Sequence, residues 1–110
     1  MRDSTYAWLV LAASVLAEVA GTMALRHSDG FTRLIPSLIT GLCYTAAIWL
    51  MAVSVRNLAV GLAYAVWAGS GTAVTALLGI ILFEESASLL RLSGLGLIIS
   101  GVVVLNLSAQ

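Results

Sequence analysis

Lysine is absent from this 110-residue chain, and charge of either sign is scarce: five arginines, five acids and one histidine leave a formal net charge of zero. Without a basic run the chain has no electrostatic footprint for nucleic acid or for clamping onto an anionic membrane surface. Cysteine occurs once, at Cys43, which excludes an intrachain disulfide and says nothing of the redox compartment. Proline also occurs once. Pro36 falls in the first turn of an apolar run, where its missing N–H does no harm, so it reads as a helix start. Metal-ligand spacing, a nucleophile beside a base and a phosphate-cradling glycine loop are all missing, which argues against an enzyme and against a metal or cofactor.

What is present is apolar. With 61% hydrophobic residues, 9% charged residues and a mean hydropathy of +1.08, the composition is that of an integral membrane protein. Four runs, approximately 7–25, 34–55, 58–83 and 89–107, are each long enough for a transmembrane helix, the last marginally so if counted from Leu92. The expectation is an all-α membrane protein, one four-helix transmembrane domain over residues 1–110. Short polar connectors separate the runs: His27 to Thr32, then Arg56 and Asn57, then Glu84 to Ser88. The first run follows Arg2 and is rich in alanine, but it exceeds a signal-peptide core, carries an acid and leads directly into further spans. It reads as a span. Tyr6 and Trp8 at its start suit the interfacial aromatic belt.

The acid is Glu18, the one ionisable group between Ala7 and Leu25. At 1.5 Å per residue that run reaches about 28 Å, so Glu18 lies near the bilayer midplane, where a carboxylate costs several kcal/mol unless protonated or paired. Arg2, Arg26, Arg33, Arg56 and Arg91 all fall at the ends of runs, and His27 is about 13 Å farther along the helix. No cation of the chain is level with Glu18. It is therefore a proton or ligand site, with a protonated structural donor as the alternative.

Helical spacing places Leu11, Ser14, Val15, Gly21 and Thr22 on the face of Glu18, a stripe suited either to close packing or to a ligand beside the acid. The third run sets Tyr64, Trp67, Ala68 and Gly71 on one face, and Tyr44 of the second run also falls near mid-depth. Aromatic rings there are ordinarily core, but they also hold organic cations by their electron-rich faces, and a phenol can hydrogen-bond a carboxylate. Gly69, Ser70 and Gly71 make a bend cheap in the third run. Gly94 and Gly101, seven apart on one face of the fourth, suit a dimer seam or a contact within the chain. The arginines divide three against two between the two sides of the membrane, nearly no orientation bias, so two copies inserted oppositely can pack together.

The segments Ala17-Glu18-Val19-Ala20-Gly21-Thr22, Gly30-Phe31-Thr32-Arg33-Leu34 and Gly61-Leu62-Ala63-Tyr64-Ala65-Val66-Trp67 resemble the small multidrug resistance family, and the similarity extends over essentially the whole chain. The resemblance implies a multi-pass protein of the cell inner membrane, a proton-coupled exporter of lipophilic cations working as an antiparallel, dual-topology homodimer. It implies that Glu18 binds protons or substrate in turn, that Trp67 and Tyr64 flank the substrate, and that Tyr44 lines the chamber with Leu11, Ser14, Val15, Gly21 and Thr22. It further implies a third-helix kink at Gly69 and Gly71 and a dimer contact at Gly94 and Gly101. Guanidinium exporters of the family typically carry Trp three residues after the glutamate and Met at the position of Tyr44. Gly21 and Tyr44 favour the polyaromatic-cation branch instead, with guanidinium export as the alternative. Ala47 replaces a serine frequent in both branches, which alters the hydrogen-bond network expected around the acid. Two rivals from other classes are a proton-conducting ring subunit, against which four spans and the Tyr64/Trp67 pair argue, and a non-transporting assembly partner.

Overall fold

A computed structural model of the protein describes residues 2–108, with side chains from Thr5 onward, and its described residues form four helices. They are α1 (Arg2–His27), α2 (Leu34–Ser54), α3 (Val60–Leu82) and α4 (Leu89–Ser108). All four are long and apolar enough to span a membrane. The side chain of Arg2, one of the arginines counted above, lies outside the described range. Helix α1 starts ahead of the apolar run because backbone hydrogen bonding does not stop where hydropathy does. Helix α3 starts later than the run, at Val60, because the N–H groups of Arg56 and Asn57 turn back onto the carbonyls of Val53 and Ser54 and Ala59 is extended. Pro36 is the third residue of α2, among the first-turn positions whose N–H has no partner within the helix.

The helices pack in the spatial order α2, α1, α3, α4. This row gives a flattened body of 43 × 35 × 17 Å. A row buries little of itself: the central cluster is Leu11, Ala63 and Val66, flanked by Trp8, Met51, Val55, Leu58, Leu62, Trp67, Val102 and Leu105. In lipid there is no hydrophobic drive between helices, so close approach and hydrogen bonds hold them. Between α1 and α2 both are visible. Ala7 and Ala47 are buried, Ser14 donates to the Ala47 carbonyl at 2.6 Å, and Ser54 donates to the Ala7 carbonyl at 3.3 Å. Between α3 and α4 the device is Gly69, where an added Cβ would stand 2.6 Å from Val102 Cγ2.

The α1–α2 connector takes three successive left-handed residues, Asp29, Gly30 and Phe31. For Asp and Phe this costs about 1–2 kcal/mol each. Ser28, fully buried, offsets it as a hub: its hydroxyl donates to the Leu25 carbonyl and accepts from the Phe31 N–H, and its carbonyl accepts from the N–H groups of Thr32 and Arg33. Helix α3 runs unbroken through Gly69 and Gly71, so the glycines serve close approach on two sides of a continuous helix.

Candidate functional site

Glu18 is half-buried on the face of α1 where α2 and α3 both approach it. Its carboxylate rests directly against Gly71 of α3, so close that a Cβ at Gly71 would collide with Oε1. Thr22, one turn along α1, lies 2.8 Å from Glu18 Oε2 and 3.0 Å from the Glu18 carbonyl through one hydroxyl oxygen. The Tyr44 hydroxyl lies 2.7 Å from the same oxygen. A threonine hydroxyl carries one proton, so with Glu18 ionised the order is Tyr44 donating to Thr22 and Thr22 donating to Glu18. The chain supplies the acid with hydroxyls and no charge: among the described residues Glu18 forms no ion pair, since both ion pairs found belong to Glu85.

Two cavities meet at Glu18. A small apolar one of about 230 Å³ is lined by Glu18, Tyr44, Ala47, Ile48 and Trp67. A larger groove of about 510 Å³ runs from Glu18 and Trp67 past Thr22, Gly71 and Thr75 to Arg26, Phe83 and Glu85. Trp67 belongs to both. Its indole N–H is buried and finds no acceptor among the described residues, as does the Thr75 hydroxyl in the groove wall.

The structure brings Glu18, Thr22, Tyr44, Trp67, Gly21 and Gly71 together. Tyr64 stacks on Trp67 at 5.8 Å between ring centroids but is exposed and lines neither cavity. Leu11 and Val15 line a separate apolar groove with Trp8, Leu16 and Val66. Ser14, on α1, is buried against α2. Gly94 and Gly101 face open space outside the chain. Gly21 lies under the Tyr44 ring, where an added Cβ would stand 2.7 Å from ring carbons. A large side chain at position 21 and the present position of Tyr44 therefore exclude each other. Ala47 offers only its carbonyl, to Ser14, and turns an apolar surface to the small cavity.

Sequence reasoning missed Arg26, Thr72, Thr75, Gly79, Phe83 and Glu85 as groove residues. A signal was there for some of them. Glu18, Thr22 and Arg26 follow at steps of four, and Gly71, Thr75 and Gly79 do the same. Phe83 continues the second series, whereas Glu85 had no such signal, because it reaches the groove through the turn after α3. Glu84 is left-handed there, and the Glu85 N–H bonds back to the Gly79 carbonyl.

The family model described as Small Multidrug Resistance protein matches residues 6–98. The Guanidinium exporter of Yersinia pseudotuberculosis serotype I (strain IP32953) is 46% identical over 103 residues, 94% of this chain and 99% of that protein. The Quaternary ammonium compound-resistance protein QacF of Klebsiella aerogenes is 42% identical over 103 residues, 94% of each chain. The Uncharacterized membrane protein YvaE of Bacillus subtilis (strain 168) is 40% identical over 100 residues, 91% of this chain and 84% of that protein. With four spanning helices and a family match over most of its length, the chain is a multi-pass inner-membrane protein belonging to the small multidrug resistance family.

Proposed function

We propose that this transporter exchanges protons for lipophilic aromatic or quaternary ammonium cations, with Glu18 holding either a proton or the cation. The observation that carries the reading is the environment of Glu18: an acid without an ion-pair partner among the described residues, hydrogen-bonded only by a hydroxyl and flanked by Tyr44 and Trp67. A strongly hydrated cation entering there loses its water for few polar contacts. A planar lipophilic cation has little hydration to lose and stacks on the rings.

A second reading has its own support, since a relative named Guanidinium exporter is at least as similar in sequence as QacF. Against it stands the Gly21/Tyr44 pair, which fills with a phenol ring the space that a Trp at position 21 would need. Competition separates the two. Tetraphenylphosphonium and ethidium are expected to bind the purified protein and displace each other, with guanidinium a poor competitor. Trp67→Ala is expected to weaken them by about 1–3 kcal/mol, a factor of roughly 5 to 150, because ring contact is lost from a water-poor site. Guanidinium export that neither aromatic cation inhibits would establish the second reading. Proton leak with no cation binding would establish a proton-conducting subunit.

The working unit in this proposal is an antiparallel homodimer. A row of helices one chain deep leaves the Glu18 groove open along one side, so a ligand is enclosed only when something covers it. Helix α4 is mostly exposed, and among the described residues nothing lies within 4 Å of a Cβ added at Gly94 or Gly101. Near-balanced arginines on the two sides make both orientations accessible. Paired reporters fused to the C-terminus, one active inside and one outside, are both expected to be active. A single active compartment would point to parallel assembly or to a different partner chain.

A further inference from the structure

The far end of the Glu18 groove is already built to hold a cation. Glu85 Oε2 and the Phe83 ring both face the guanidinium of Arg26, which lies 3.8 Å from the carboxylate and 4.7 Å from the ring centroid. His27 tilts against Phe83 at 5.7 Å and helps to fix the ring. A carboxylate beside an aromatic face is the chemistry that recognises an organic cation. We infer that Phe83 and Glu85 form an outer docking subsite for the transported cation, and that Arg26 occupies it as a tethered competitor until a cation arrives. The inference rests on the cation-export reading above.

One difference between the arginines carries the argument. Arg91 also lies 3.8 Å from Glu85, but it donates a hydrogen bond to the Ser86 carbonyl at 3.0 Å, so it is fixed in place. Arg26 donates no such bond. Its contact with Glu85 is too long for a hydrogen bond, and its side chain is well exposed, so displacing it breaks only a loose ion pair and a ring contact. Glu85 does not follow it away, because Arg91 stays beside its other oxygen and its backbone N–H is bonded to Gly79. Arg26 and Glu85 line the same groove as Glu18, so a cation released from the outer position is already on the way to the inner acid.

The subsite acts on rate, because it lies outside the final binding position. Stopped-flow mixing of tetraphenylphosphonium with purified protein reads it. Phe83→Leu is expected to slow association about two- to fivefold, the factor one exposed cation–π contact is worth, with the equilibrium constant and proton release at Glu18 unchanged. Arg26→Gln is expected to speed association by a similar factor, and Arg91→Gln, with the same change of charge, to speed it less. A structural clamp would make Phe83→Leu and Arg26→Gln change the rate in the same direction. That result, no change in either, or equal acceleration by the two arginine variants would overturn the subsite while leaving the Glu18 site standing. If the unaltered protein binds no organic cation, both readings fall.

Discussion

Glu18→Gln protein is expected to bind no organic cation and to release no proton when one is added, while remaining folded. The substitution keeps the shape of the side chain and its ability to accept from Thr22, so the hydrogen-bonded contact to α2 through Tyr44 has no reason to break. What goes is the one group in the middle of the span that can alternate between a proton and a positive charge. In the unaltered protein the two compete for the same oxygens. Acid therefore opposes binding: affinity for the cation falls by about tenfold per pH unit for each proton displaced on binding. Binding isotherms across pH, combined with proton release into weakly buffered solution, measure both quantities. Proton release that persists in the Gln variant would sink the assignment of Glu18.

Gly71→Ala is expected to come close to Glu18→Gln in its effect on binding and to have much less effect on stability. The added methyl would collide with Glu18 Oε1 where it now lies. The obstacle is the far end of a flexible side chain, so the carboxylate can rotate away without the helices parting. Rotation, however, takes it off the Thr22 hydroxyl and out of the wall it shares with Trp67. A loss of at least tenfold in cation affinity is the expected outcome, given that a charge-assisted hydrogen bond is worth about 1.5–3 kcal/mol, with thermal stability in detergent little changed. Unfolding of the variant would show that Gly71 serves helix packing first. Unchanged affinity would show that the contact with Glu18 is incidental to binding.

The four spans and the place of Glu18 within the first of them were legible in the sequence for one reason: lipid imposes a single length and a single polarity on whatever crosses it, and a departure from either is visible residue by residue. Relationships across helices were less so. That Gly21 makes room for Tyr44 and Gly71 for the Glu18 carboxylate depends on which faces meet, and helical spacing shows only which residues share a face. The same limit explains the chamber expectation for Leu11 and Val15. They do lie on the α1 stripe, but the stripe is wider than the groove, and these two turn toward Val66 and Trp8. Glu85 was out of reach because a backbone reversal after α3, and no periodicity, carries it to Arg26.

The serine contacts of α1 and α2 also set where the molecule can yield. Ser54 ties the helices near one end, Ser14 at the middle, and the Ser28 hub beyond the other, with Tyr44 and Thr22 between. Fasteners spaced along the whole length resist sliding of one helix past the other far better than the same number gathered at one point. The α3–α4 pair has a different join, an irregular connector from Glu84 to Ser88 with Glu85 and Arg91 paired across it. In the proposed exchange cycle, helices α1 and α2 are therefore expected to move as one stiff lever, and the shear that opens or closes a path to Glu18 is expected to fall on the seam between that lever and α3, where Gly71 meets the carboxylate.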